Sequence, residues 1–377
     1  MEFNHLTFYV DAVAPWRDWF VNAWGGVWDG LGSADGQTDD QALVYVGQVP
    51  LLIVSTPPVV RLYLQQHPSG IGDVALRVSD LDQTLDQVTA AGGTVVQPTQ
   101  TDLWGRGRWA QIQGWGSLRH TLVESWQQAV WVPEIASRGG ALTTAPRVMS
   151  LKPPAASPSL AIDAIDAIDA IDHAVMNVLE GELPQAVAWY QRQLGFQPQQ
   201  QFTIDTPRSG LRSQVMAHPH GSAKLPINES ATPNSQVQEF LHYNRGGGIQ
   251  HVALHTQDIV STVAGLRQGG VNFLSVPPSY YEALRQRPGY QPDGDRDPAI
   301  AQLQILVDWE LHLPQARLLQ TFTQPFLSIP TVFFEIIQRQ VVQTQGATAQ
   351  AEGFGARNFQ ALFEAIEHEQ IKREKLT

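Results

Sequence analysis

The sequence predicts an α+β chain made of two related halves, each a pair of βαβββ modules, with one helix added at the carboxy terminus. Three observations carry this. The length of 377 residues exceeds one ordinary domain, and at about 150 residues per domain it divides into two or three. A segment rich in Pro, Ala and Ser starts at Thr143 and runs into Ala-Ile-Asp repeated four times, ending at Asp172. The stretches on either side of that break repeat one another, and internal repeats are weighed before any short motif.

Taken in order, the first half opens with FNHLTFYV and the second with IDHAVMNV, alternating strands with His5 and His173 in third place. An amphipathic helix follows in each, APWRDWFVNAWGG and ELPQAVAWYQRQLGF, with the apolar spacing that buries one face. Ala42 to Val60 carries no charge over 19 positions, but Gly47, Gln48, Pro50, Pro57 and Pro58 interrupt it. It reads as two short strands, ALVYV and LLIVS, joined by a tight turn rather than as a membrane span. Next come a strand and helix in GIGDVALRVSDLDQTLDQVTAAGG and again in GIQHVALHTQDIVSTVAGLRQGG. RHTLVESW and TVFFEIIQR supply the last marker strands.

The offset between matching residues grows along the repeat. It is 168 from His5 to His173, 178 from Asp73 to His251 and 211 from Glu124 to Glu335. The second half has therefore gained 33 residues between its last two marker strands. This material includes SYYEALRQRPGYQPDGDRDPAI, which reads as one or two helices and a loop. An insertion of that length is more often functional than decorative. These features place a first domain at 1–145, a linker at 146–168 and a second domain at 169–377. The bland reading of the Ala-Ile-Asp triplets is an expanded linker.

Composition excludes several kinds of chemistry. With no cysteine, there is no disulfide framework, thiolate zinc site, cysteine-ligated iron–sulfur cluster or thiol nucleophile. A metal would rest on nitrogen and oxygen donors, and 11 His are present. A net charge of −12 argues against a nucleic-acid surface, which needs clustered Lys and Arg. The start, MEFNHL, lacks the basic and apolar regions of a signal peptide, so a cytoplasmic protein with no membrane partner is expected.

His173, His251 and Glu335 each fall inside a predicted strand of the second half. Two imidazoles and one carboxylate are the ligand set of mononuclear non-haem iron sites. Chosen from 11 His and many Glu, such a set is weak alone, because a single strand His is usually a satisfied core or surface residue. The repeat sharpens it. The first half has Asp73 where the second has His251, so His5, Asp73 and Glu124 are one imidazole short, and the first half reads as a scaffold.

Longer runs carry a resemblance: LPIN from Leu225, SQVQEFL from Ser235, GGGIQHVAL from Gly246, LLQTFTQP from Leu318, FFEIIQR from Phe333 and GFGARNFQALFEAIE from Gly353. Across these, the second half closely resembles the 4-hydroxyphenylpyruvate dioxygenase family. The first half resembles that family's amino-terminal domain only in its repeat, and the Trp-rich segment from Trp16 to Trp28 finds no counterpart. The resemblance implies two tandem vicinal-oxygen-chelate domains of the glyoxalase and extradiol dioxygenase type. Only the second would hold iron, in an open barrel-like sheet. It implies Fe(II) on His173, His251 and Glu335. It places Ser213, Asn228, Gln236, Gln250 and Gln320 around the substrate, with the three Gln also in catalytic roles. Phe322, Phe333, Phe354, Phe359 and Phe363 would form apolar walls.

The activity implied is conversion of 4-hydroxyphenylpyruvate and dioxygen to homogentisate and carbon dioxide, by oxidative decarboxylation, ring hydroxylation and side-chain migration. Tyrosine catabolism or quinone and tocopherol synthesis would be the setting, and a homo-oligomer, dimer or tetramer, is expected. LPINES departs from the family in Ser230, where Pro is common. Phe359, Leu362, Phe363 and Ile366 share one helical face, and in this family that helix covers the iron site. Three other readings compete. One is 4-hydroxymandelate synthase, against which the retained Phe359 and Phe363 speak. Another is an extradiol catechol dioxygenase, for which the loop residues His218 and His220 would have to serve as acid–base groups. The third is a metal-free binding protein.

Overall fold

The computed structural model describes residues 1–30, 40–102, 105–126, 130, 132–133, 165–294, 296–326, 329–344 and 347–374. The first half contains β1 (Glu2–Tyr9), α1 (Val13–Trp24), β2 (Val27–Trp28), β3 (Gln41–Val46), β4 (Val49–Val54), α2 (Pro58–Gln66), β5 (Gly70–Arg77), α3 (Leu81–Ala90), β6 (Val95–Thr101), β7 (Gly107–Gln113) and β8 (Arg119–Ser125). The second half repeats the order with β9 (Ile168–Val178), α4 (Leu183–Leu194), β10 (Gln197–Asp205), β11 (Gly210–Ala217), β12 (Lys224–Ser230), α5 (Gln236–Asn244), β13 (Gly248–Thr256) and α6 (Ile259–Gln268). The insertion follows as α7 (Pro278–Arg285) and α8 (Arg296–Gln302). The chain then completes its sheet with β14 (Leu306–Trp309), β15 (Arg317–Phe322) and β16 (Phe333–Arg339). A hairpin, β17 (Val341–Thr344) and β18 (Ala347–Gln350), leads to α9 (Ala356–Glu374).

Local signals explain the helix ends. α1 and α4 stop at Gly25 and Gly195, both left-handed at φ 66° and 70°, the conformation that glycine adopts without a steric penalty. α3 and α6 start at Asp80 and Asp258, whose carboxylates accept from the amides of Gln83 and Ser261. Each cap satisfies an amide that the helix itself cannot.

Each half forms one eight-stranded sheet, in the orders β2-β3-β4-β1-β5-β8-β7-β6 and β10-β11-β12-β9-β13-β16-β15-β14. An antiparallel pair, β1–β5 or β9–β13, lies at each centre and is flanked by parallel partners. This is two βαβββ modules joined back to back, as the repeat predicts. ALVYV and LLIVS are β3 and β4. Periodicity did not mark α2 and α5, the short helices that link the modules.

The triplet segment differs from a pure linker. Ile168, the last residue of the expected linker, already begins β9, and Ile165 and Ile168 are buried. Residues 146–164 of that linker lie outside the described residues. Opposite β13, Ile168 pairs with Thr256, Ala170 with His255, Ile171 with Leu254 and His173 with Ala253. Asp169 and Asp172 are skipped. Over the described strand, the period-three repeat fits a period-two strand by putting Asp169 and Asp172 at β-bulges, where one extra residue is left unpaired. Asp169 accepts from His255 and Gln257.

The two halves share a core. On α1, Trp19 stacks on Phe326 at 4.5 Å, and Trp24 meets Phe334 edge-on at 4.8 Å. Phe8 and Phe20 also touch Phe334. The Trp-rich helix therefore joins the halves. Gly47, at φ 58°, closes the β3–β4 turn against β9, and a Cβ there would lie 2.1 Å from the Ile168 carbonyl oxygen. Polar ties add to this. His67 bridges the Asn244 carbonyl and Ser117 Oγ at 2.7 Å each, and His120 bonds Val74 O at 2.8 Å and Tyr190 Oη at 3.0 Å. No helix among the described residues is long and apolar enough to cross a membrane.

Burial pushes the His120 imidazole down to about 4, and its bond to the Val74 carbonyl offsets this only in part. An unfolded chain would take up that proton near the ordinary histidine value of about 6.5. The buried neutral His120 thus adds stability that is present above pH 6.5 and lost as pH falls toward about 4, a few kcal/mol at most. Urea midpoints should drop between pH 7 and pH 5, and His120→Gln should flatten that drop. An unchanged pH dependence in the variant contradicts this role for His120.

Candidate metal centre and substrate cavity

Strand register brings the three expected ligands together. Ala253 on β13 faces His173 on β9 to one side and Glu335 on β16 to the other. His251 precedes Ala253 by two positions and so points to the same face of the sheet. The three side chains are almost wholly buried. His173 Nε2 lies 3.3 Å and His251 Nε2 3.7 Å from Glu335 Oε2. All three ligand atoms fall within 4.8 Å of one another. Facial donors on an octahedral ion, at about 2.1 Å from the metal, stand roughly 3 Å apart, so small side-chain adjustments close the set.

The surrounding bonds decide what these atoms offer. His173 Nδ1 meets Asp172 Oδ1 at 2.8 Å. With that carboxylate accepting, Nδ1 carries the proton and Nε2 presents its lone pair. Glu335 Oε1 accepts from Gln320 Nε2 at 2.8 Å, leaving Oε2 toward the imidazoles. Two lone pairs at 3.3 Å repel unless a proton or a metal ion lies between them, and the three converging donors fit a divalent metal. Burial alone would depress the proton affinity of His173, but Glu335 and Asp172 outweigh it and the net shift is upward. The same negative field favours a metal ion. Burial, and then the neighbouring His173, hold His251 well below the usual histidine value, which keeps it a neutral ligand. Its ring stacks on Phe333 at 4.7 Å. Asp172 stays charged because Arg339 and His173 overcome the upward push of its burial.

These ligands open into a cavity whose empty space, counted out to its solvent mouth, is about 390 Å³. Ser213, Asn228, Gln320, Phe322, Phe354 and Phe359 from the expected set line it. Ser213 and Asn228 sit directly opposite each other on β11 and β12. Ser213 Oγ and Asn228 Oδ1 are buried without a hydrogen-bond partner among the described residues. An orphaned buried polar atom carries a desolvation penalty, and a polar ligand in the cavity would remove it. Phe354 also meets His173 edge-on at 4.9 Å.

Other expectations change. Gln236, Gln250 and Phe333 line an adjoining cleft, together with Thr331 and Ile366. Gln250 is the unpaired residue where the β13 register shifts between Ile249 and His251. Phe363 is not a cavity wall: it packs in the core against Ile204, Val237 and Phe240. Sequence reasoning missed Val175, Phe202, Val215, Pro226 and Leu362 as lining residues. Val175, Val215 and Pro226 stand two residues from His173, Ser213 and Asn228, so strand alternation would have found them. His218 lies against the Met1 amino group at 2.7 Å, and neither it nor His220 lines the cavity.

The first half does not reproduce the set. Glu124 pairs with Arg108 at 2.6 Å. Asp73 accepts from Gln111 and Thr121, and His5 Nδ1 meets Asn4. Among the described residues, His173, His251 and Glu335 are the one group of His, Asp and Glu close enough to hold a metal ion.

Comparisons with known proteins agree with this geometry. Residues 170–298 match the Glyoxalase/Bleomycin resistance protein/Dioxygenase superfamily. The chain is 35% identical to a 4-hydroxyphenylpyruvate dioxygenase of Caenorhabditis briggsae, over 99% of this chain and 93% of that protein. It is 32% identical to the one from Dictyostelium discoideum, over 99% of each. A mutant 4-hydroxymandelate synthase from Streptomyces coelicolor has the same fold, with a TM-score of 0.74, 23% identity and 98% of each chain covered. With relatives this similar along nearly its whole length, the chain belongs to the 4-hydroxyphenylpyruvate dioxygenase family.

Proposed function

We propose that the protein converts 4-hydroxyphenylpyruvate and dioxygen to homogentisate and carbon dioxide at an Fe(II) centre. The observation that carries this is a single cavity combining three converging metal donors, two orphaned polar atoms and aromatic walls. His173, His251 and Glu335 would hold Fe(II), which would supply the oxygen chemistry for an anionic 2-oxo acid and dioxygen.

The chain's own residues bind, orient and exclude water. Ser213 and Asn228 offer uncharged groups to the substrate's oxygens without competing for the metal. Phe322, Phe354 and Phe359 line the cavity and would make offset or edge contacts with the substrate's aromatic ring. Phe359 and Leu362 of α9 line the cavity and would limit the access of water to the reacting centre. Gln236 and Gln250 enter the proposal as polar groups behind Phe333. A cytoplasmic location, a dimer or tetramer, and a place in tyrosine breakdown or quinone and tocopherol synthesis rest on the family alone.

Oxygen uptake with Fe(II), ascorbate and 4-hydroxyphenylpyruvate should yield homogentisate. Formation of 4-hydroxymandelate would reassign the protein to the synthase reaction, and no uptake would remove the dioxygenase. Asn228→Ala should lower kcat/KM by roughly 10- to 100-fold, the effect of losing one or two buried hydrogen bonds to a bound ligand. Bound metal, read by elemental analysis, should stay at the wild-type ratio. A parallel loss of metal would instead make Asn228 part of the metal centre's support.

A further inference from the structure

We infer that the C-terminal segment sets two of the three metal ligands through two hydrogen-bond relays, with Asn358 and Arg339 as the positioning residues. This rests on His173, His251 and Glu335 forming a metal centre and is independent of the substrate.

The first relay begins on the insertion. Tyr280 Oη shares its one proton between the Val307 carbonyl at 3.1 Å and Asn358 Oδ1 at 3.3 Å, Asn358 Nδ2 donates to Gln320 Oε1 at 2.7 Å and faces the Leu318 carbonyl at 3.4 Å, and Gln320 Nε2 donates to Glu335 Oε1 at 2.8 Å. Asn358, Gln320 and Glu335 are all buried. An amide has one accepting and one donating end, so the direction of the relay fixes the orientation of both amides. Gln320 uses both of its ends here, which makes it a holder of Glu335. Gly355 permits the approach: at φ 63°, a Cβ there would stand 2.7 Å from Gln320 Oε1. The bond to Oε1 holds the carboxylate with Oε2 toward the imidazoles, which biases Glu335 toward one-oxygen binding. A carboxylate free to rotate could bind through both oxygens and take a position that a chelating substrate or dioxygen needs.

The second relay reaches the other side of the centre. Arg339 Nη1 donates to the carbonyls of Ala351 and Gly353, at 3.2 and 2.8 Å. Arg339 Nε and Nη2 form a fork on Asp172 at 2.6 and 2.8 Å, and Asp172 holds His173 Nδ1 at 2.8 Å. The guanidinium that orients a metal ligand thus also pins the root of the C-terminal segment. Such outer partners typically change metal affinity 10- to 100-fold. If seating the segment favours the ligand geometry, metal binding must favour seating by the same free energy.

The test uses the full chain and Co(II), an ion that avoids iron oxidation. Calorimetric titration compares the wild type with Asn358→Asp, which forces Gln320 to turn its oxygen toward Glu335. It also includes Arg339→Lys, which keeps the charge and loses the fork, and, as a control, Gln360→Ala, a half-buried residue of the helix that carries Asn358 and lies outside both relays. Co(II) should bind about 10- to 100-fold more weakly to the first two and normally to the control. Amide exchange in residues 353–374 of the wild type should slow when Co(II) binds, although these residues supply no ligand. Unchanged affinity in both folded variants overturns the inference, as does exchange in 353–374 that ignores Co(II). If a variant does not fold, the wild-type exchange measurement decides alone. A wild type that binds no Co(II) overturns the metal centre itself, a failure distinct from that of the relays.

Discussion

Alternation along β16 makes one strand serve two interiors, and the rest of the molecule depends on it. Phe333, Glu335 and Ile337 face the second sheet's concave side, where Glu335 meets the two histidines. Phe334 and Ile336 face the other way into the shared core, and Phe334 is enclosed by Phe8, Phe20, Trp24 and Phe326. A slip of one residue would exchange the faces, burying a carboxylate among aromatic rings and sending Phe334 into the cavity. The first half, which has lost the metal set, therefore still contributes to the site. Its aromatic helix packs, through Phe20 and Trp24, on the face of the ligand strand that carries Phe334.

The centre also shows how an acidic chain handles buried charge. Asp172 and Arg339 neutralise each other in a bidentate fork, the geometry for which a guanidinium is suited. The polar groups nearest the cavity are otherwise amides and hydroxyls. This leaves Glu335 as the carboxylate among the ligands, so a divalent ion retains one positive charge for an anionic ligand to meet.

Much of this was legible in the sequence, and the gaps have physical causes. The repeat and its growing offsets located the halves, the insertion and the ligand histidines, because strand and helix periods survive in residue order. Asp172 and Arg339 were not legible, since their pairing depends on a bulge and on strand register. Gln320 was read by its chemistry as a substrate contact, but only the position of Asn358 shows where its two ends go. Phe363 shares a helical face with Phe359, yet successive positions fan around an α-helix by about 100° per residue. Phe359 and Leu362 meet the cavity, while Phe363 turns toward α5. Gln250 escaped because a bulge changes which neighbours a strand residue meets.

The Ala-Ile-Asp triplets have a consequence at the level of the gene. Tandem repeats gain and lose copies by slippage, and an insertion inside a strand normally shifts every residue beyond it to a new partner. Here the copies are identical in sequence, and the last one spans two paired positions, Ala170 and Ile171, plus one bulge at Asp172. Adding or removing a copy upstream leaves the same residues next to His173, with Asp172 still against Arg339 and Asp169 against His255. Because the copies are identical, a change in their number would leave the residues beside His173 the same.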